Sequence, residues 1–150
     1  MDYSIQTKDT IKIIGISLRT TNENDQSATD IPQFWQKFFQ ENILSKIPNK
    51  KGMDVFSVYT KYEGDFMAPY TVILGCEVTN FDSIPTGMTN LLIPESKFAV
   101  FHADGPDNVA SAWGQIWQTK LGRTYYADFE VYKESVSQSN PVVEIFVGIQ

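Results

Sequence analysis

The sequence predicts an α+β fold in which one strand–helix–strand–strand unit is used twice. Three observations lead there. Apolar segments with strand and helix periodicity follow the same order in both halves. The hairpin of the first half lies over that of the second at a constant offset of 73 residues. No run approaches the roughly 20 apolar residues of a membrane span, and the lone Cys76 leaves no internal disulfide.

Lys12–Thr20 (KIIGISLRT) is a strand by its apolar, β-branched run. Thr21–Thr29 is polar and reads as a loop. Asp30 is placed as a helix N-cap, with Pro32 in the first turn. Ile31, Phe34, Trp35, Phe38, Ile43, Leu44 and Ile47 then form the apolar stripe of a helix stopped by Pro48 and Asn49. Val55–Glu63 and Tyr70–Thr79 read as strands joined by a turn over Gly64–Pro69. Asn80 to about Glu95 reads as a crossover within one domain of residues 1–150, because either half alone is small for a core.

The order then recurs. Lys97–Ala103 is a strand, and Gly105-Pro106-Asp107 forms a turn and cap. Val109, Ala112, Trp113, Ile116, Trp117 and Leu121 mark a helix ending at Gly122. Tyr125–Lys133 and Val142–Ile149 read as strands around a polar turn over Glu134–Asn140. The repeats span about 11–79 and 97–150. At the common offset, Phe56-Ser57-Val58-Tyr59 overlies Phe129-Glu130-Val131-Tyr132, and Thr71–Gly75 overlies Glu144–Gly148. Duplication implies a pseudo-two-fold axis with antiparallel sheets, two main helices and a central cleft, a location that suits ligands.

Composition narrows the function. Twelve basic against eighteen acidic residues give a net charge of −6, which opposes nonspecific binding to nucleic acid or anionic lipid. There is no basic stripe or helix-turn-helix segment, so direct nucleic-acid binding is not expected. The polar start, Met1–Thr10, and the lack of a disulfide framework fit a cytoplasmic protein. A single histidine, no cysteine pair, no phosphate-binding glycine loop and no nucleophile elbow leave no motif for a metal or cofactor. His102 reads as a structural or exposed strand residue, and Cys76 as a small core residue.

Two acids stand in unusual places, Glu130 in DFEVY and Glu144 in VVEIFV. Alternation puts Glu130 with Tyr132 on one face, and Glu144 with Phe146 on one face of the next strand. A hairpin that joins these faces brings both acids together. The face is then either an ordinary solvated surface or an aromatic-lined pocket floored by carboxylates, which attracts flat lipophilic cations. Tyr59 and Tyr70 of the first hairpin are candidates for the opposite wall, and Phe66 and Met67 for a lip. Trp35, Trp113 and Trp117 lie on helical stripes, where a Trp is either core or a stacking surface.

The opening IKIIGISLRTT, the helix start IPQFWQKFF, the helix AWGQIW, then DFEVY and the closing VEIFVGI occur together in this order. In this the chain resembles the GyrI-like small-molecule-binding family, also known as the effector-binding domain of AraC-type transcription regulators. It looks most like the stand-alone members, including integron-cassette effector-binding proteins. The resemblance implies a duplicated fold whose cleft binds lipophilic cations, with acids on the last two strands meeting the charge. The matching ligand-binding positions are Glu130 and Glu144, with Tyr59, Tyr70, Trp113, Trp117 and Phe146 as pocket aromatics. Unlike the regulators, the chain carries no DNA-binding segment, so direct regulation would need a separate protein partner. Two other activities remain open. One is hydrolysis of an electrophilic small molecule, with Glu144 as general base and Tyr59 or Tyr132 as proton donor. The other is inhibition through a protein–protein contact, as gyrase-inhibitor relatives suggest.

Overall fold

The computed structural model describes residues 1–133 and 142–150. The turn expected over Glu134–Asn140 lies outside them. Eight strands form one antiparallel sheet. In chain order they are β1 Ser4–Lys8, β2 Ile11–Thr20, β3 Val55–Thr60, β4 Tyr70–Glu77, β5 Thr89–Ile93, β6 Ser96–Ala103, β7 Ala127–Tyr132 and β8 Val143–Ile149. The spatial order is β1-β6-β8-β7-β3-β4-β2-β5. The first unit is therefore β4 between β2 and β3, and the second is β8 between β6 and β7. The expected duplicated α+β architecture is the observed one. The crossover read over Asn80–Glu95 contains β5, and the polar start contains β1; neither strand was expected.

These two extra strands exchange units. β1 leads into the first unit but pairs with β6 of the second, while β5 leads into the second but pairs with β2 of the first. Both are five residues long. β1 and β2 stand six strand positions apart, about 29 Å in a flat sheet. Two residues, Asp9 and Thr10, join them and span at most about 11 Å. Pro94 and Glu95 make the matching link between β5 and β6. The sheet must curl until its ends approach. Its inner face then closes on a core of Ile11, Ile13, Phe56, Val58, Ile73, Ile93, Phe98, Val100, Phe129, Val131 and Phe146.

The other face carries the helices. α1 (Gln26–Gln40) and the short α2 (Ile43–Lys46) pack Phe34, Phe38, Ile43 and Ile47 on β2 and β4. α3 (Val109–Trp117) packs Val109, Ala112 and Ile116 on β6 and β8. The helix expected from Asp30 begins earlier, at Gln26. Its first turn is largely solvent-facing, so no apolar stripe announces it. Asp30 is not its cap; the Asp30 carboxylate accepts from Thr20 Oγ1 (2.9 Å) and Gln26 Nε2 (3.0 Å). Pro32 lies inside the helix, where it removes one backbone hydrogen bond. Asn42, at φ 50°, divides α1 from α2. α3 stops at Trp117, short of Gly122, and Leu121 packs at the edge of its core.

The two units meet at β3 and β7. Ser57 pairs with Glu130, Phe56 with Val131 and Val58 with Phe129. The sequence repeat also overlays Ser57 on Glu130, so the pseudo-two-fold axis passes through the Ser57–Glu130 pair. The repeat slips on the next strand. Phe56 faces Gly75, but its equivalent Phe129 faces Phe146 and not Gly148. Gly75 and Gly148 are thus two residues out of step, which keeps each side chain on its own face.

Gly15 and Gly75 are paired where β2 crosses β4 at very close range. A Cβ on Gly75 would stand 2.0 Å from the Ile14 carbonyl oxygen, and one on Gly15 2.1 Å from that of Leu74. Gly114 in α3 has nothing within 4 Å of a Cβ position. Gly75→Ala is expected to lower the unfolding free energy by at least roughly 1–3 kcal/mol, and Gly114→Ala to raise it by about 0.5–1 kcal/mol. Urea denaturation of both variants checks the pair.

Candidate functional site

The helix-side face of the central strands carries Ser57 and Tyr59 on β3, with Asp128, Glu130 and Tyr132 on β7. Here α1 and α3 leave a seam that side chains fill. Glu130 is 1% exposed. Its Oε2 accepts from Tyr59 OH (2.8 Å) and Trp113 Nε1 (2.6 Å), and its Oε1 from Tyr132 OH (2.5 Å). Tyr132 reaches it from two residues along β7, Tyr59 from the neighbouring strand and Trp113 from α3. All three donors are neutral. Among the described residues no basic side chain forms an ion pair with Glu130.

Burial pushes the Glu130 carboxyl above its ordinary range, and the hydrogen bonds from Tyr132, Trp113 and Tyr59 oppose that only in part. Burial, reinforced by the charge of Glu130, holds the Tyr59 phenol well above the usual tyrosine value. Tyr132 is raised in the same way. These phenols therefore stay protonated and act as donors, which is what a buried carboxylate requires.

A second polar pair lies beside this one. Asp128 is fully buried, and its Oδ2 accepts from Arg123 Nη2 at 2.6 Å and from Tyr62 OH. Its Oδ1 takes the Gly148 N–H at 2.8 Å. The Arg123 side chain is 6% exposed and lies against the rings of Tyr125 (4.3 Å), Trp113 (5.7 Å) and Tyr62 (5.9 Å). Aromatic contacts link the two pairs, with Trp113 on Tyr59, Tyr59 on Tyr70, Tyr70 on Tyr62 and Tyr62 on Tyr125. From α1, Trp35 packs edge-on against Tyr132 at 4.9 Å. Phe66 of the β3–β4 loop stacks on Trp117 at 5.0 Å, while Asn22 and Thr21 hold the loop by the Phe66 and Met67 carbonyls.

The structure gathers Glu130, Tyr59, Tyr70 and Trp113 in one place, with Trp117, 37% exposed, at its edge. It does not bring Glu144 or Phe146 there. The expectation that Glu144 shares a face with Glu130 is corrected by the hairpin register, in which Glu130 faces Ile145 and Glu144 faces Val131. Glu144 lies on the far side of the sheet, 27% exposed, beside Lys133 Nζ at 3.2 Å and His102 Nε2 at 3.8 Å. Phe146 is in the inner core, stacked on Phe129 at 4.6 Å. The hydrolase pairing of Glu144 with Tyr59 or Tyr132 is divided by the sheet. Cys76 is buried in the core under α1, its thiol pushed up to about 11 by that burial. Among the described residues no cluster of His, Cys, Asp or Glu could hold a metal, and no helix is long and apolar enough to cross a membrane. Asp128 was within reach of the sequence, since alternation from Glu130 puts it on the same face. Arg123 lies in a loop, where no periodicity marks it; Tyr62 and Tyr125, read as strand residues, stand just outside β3 and β7, which span Val55–Thr60 and Ala127–Tyr132.

Comparison with known proteins agrees with this architecture. The model of a family described as integron-associated effector binding proteins matches residues 4–149, and the chain belongs to that family. YobU of Bacillus subtilis (strain 168), a candidate transcriptional regulator, is 27% identical over 147 residues, which cover 93% of this chain and 92% of YobU. The integron cassette protein VCH_CASS2, from the mobile metagenome of Vibrio cholerae, is 26% identical, with a TM-score of 0.77 over 99% of this chain and 95% of that one. SAV2435, solved bound to tetraphenylphosphonium, shares the fold at 20% identity with a TM-score of 0.81, over 100% of this chain and 94% of that one.

The buried acid has a thermodynamic signature. Folding raises the Glu130 carboxyl above its unfolded value of about 4.3, so the native state holds this proton more tightly. Stability from this group is complete below that value and declines as pH rises through the folded one. The stability of the wild type relative to Glu130→Gln is therefore expected to fall from about pH 4 towards neutrality, by about 1.4 kcal/mol for each pH unit by which folding raises the group. Urea denaturation at several pH values measures the difference, and a pH-independent difference would contradict the assignment.

Proposed function

We propose that this effector-binding chain takes a lipophilic cation at the seam between its two units, with Glu130 meeting the positive charge. The observation that carries this reading is a buried carboxylate with neutral donors and no ion-pair partner among the described residues. Desolvation of an anion is offset only in part by neutral hydrogen bonds. A cation supplies what the protein withholds, and the rings of Tyr59, Trp113 and Tyr132 offer it faces on which to rest. SAV2435, which shares the fold, holds a bulky lipophilic cation, and this supports the same ligand class here.

The three donors stand where a ligand's own groups would go. Binding then requires the Trp113 indole and the phenols to part from the carboxylate, so apolar burial of the ligand must outweigh those lost bonds. This favours large, flat or many-ringed cations over small ammonium ions, which bring little apolar area.

Tetraphenylphosphonium titrated against tryptophan fluorescence is expected to bind, and triphenylphosphine oxide, a neutral analogue, to bind more weakly. Glu130→Gln should weaken the cation by roughly 1.5–3 kcal/mol, while Glu144→Gln leaves it within about twofold. The reverse ranking of the two variants overturns the reading. A proton competes with the cation for Glu130, so affinity should fall as pH is lowered from neutrality through the raised carboxyl range. Isothermal titration across that range checks the sign.

A further inference from the structure

Near the seam, where Ser57 Oγ is also without a partner, Arg123 carries two unpartnered polar atoms. Its Nη2 is committed to Asp128, but Nε and Nη1 are buried and have no hydrogen-bond partner. Together those two nitrogens carry three N–H groups. Asp128 does not serve them; its oxygens take Arg123 Nη2, Tyr62 OH and the Gly148 amide. The rings of Tyr62, Trp113 and Tyr125 cover the guanidinium and attract its charge. They offer it no oxygen or nitrogen lone pair. Buried donors in this state are rare and costly in native proteins.

Trp113 connects this defect to the proposed cation site. Its indole N–H holds Glu130, and its ring lies against Arg123. A ligand that takes Glu130 from Trp113 must move that ring, and so uncovers the guanidinium in the same step. Arg123 is paired to Asp128, which stands two residues from Glu130 on the same strand face, roughly 7 Å away by strand rise. The opened site therefore presents a carboxylate and an idle guanidinium side by side.

We infer that the ligand is amphoteric: besides the positive centre that meets Glu130, it carries an oxygen acceptor, a carboxylate above all, that takes one of the free Arg123 donors, at Nε or Nη1. Nε–H and Nη1 lie on different edges of the guanidinium, so a carboxylate takes one of them, in a charge-assisted hydrogen bond. This rests on the cation-binding reading and narrows it, since a cation with no acceptor leaves the Arg123 donors unmet.

The test uses two dyes that differ in one group, a rhodamine with a free benzoate and its methyl ester, in equilibrium dialysis against the full chain. The free acid is expected to bind roughly tenfold more tightly than the ester, the scale of one charge-assisted hydrogen bond. Arg123→Lys, which keeps the charge opposite Asp128 but loses the Nε and Nη1 donors, should bring that ratio towards one while ester affinity stays within about twofold. An ester that binds as tightly as the acid overturns the inference, as does an acid preference unchanged in Arg123→Lys. The wild-type ratio needs no variant, so it decides the matter even where Arg123→Lys fails to fold. Tetraphenylphosphonium separates the two readings: if it binds through Glu130 while the dyes show no acid preference, only the amphoteric inference fails. If neither it nor either dye binds, both fail.

Discussion

The antiparallel pairing of β3 with β7 joins what would otherwise be two four-stranded sheets, and its register sets Ser57 against Glu130 on the pseudo-two-fold axis. That placement decides how the acid is enclosed. A side chain on the axis belongs under neither helix core, and neither α1 nor α3 covers it with aliphatic residues. Aromatic side chains from both units cover it instead, Tyr59 from one and Trp113 and Tyr132 from the other. The acid appears once, because its equivalent in the first copy is Ser57. A symmetric scaffold thus carries an unsymmetric charge.

The seam is also a weak point in stability terms. Interior carboxylates tolerate neutral company poorly, and buried guanidinium groups tolerate idle donors poorly. Both faults lie within one aromatic enclosure, while the cores under α1, under α3 and inside the curl are built almost wholly of aliphatic and aromatic residues. Local violations confined to one spot in an otherwise consistent structure are the pattern expected of a binding site.

Much of this was legible in the sequence, for physical reasons. Alternation in DFEVY put Glu130 and Tyr132 on one face, and the offset that overlays Ser57 on Glu130 is the relation the central register obeys. The face of Glu144 was not legible. Strand periodicity groups Glu144 with Phe146, but which side that group joins depends on the register of β7 with β8, and a one-residue shift exchanges the sides. The strands β1 and β5 escaped for a different reason. β1 is an exposed edge with no face to bury, so it carries no hydrophobic pattern. Arg123 sits in a loop, and only the fold shows that a loop arginine has been drawn inside.

The exchange of β1 and β5 has a consequence for the history and the mechanics of the chain. Each unit finishes its sheet with a strand that belongs, along the backbone, to the other. This is the arrangement of a strand-swapped dimer whose two subunits have been fused into one polypeptide. The swapped ends clasp the seam from outside, so the halves cannot drift apart on a hinge without tearing edge hydrogen bonds at both rims. A ligand at the proposed Glu130 site would then enter by side-chain rearrangement within a closed frame rather than by the opening of two jaws.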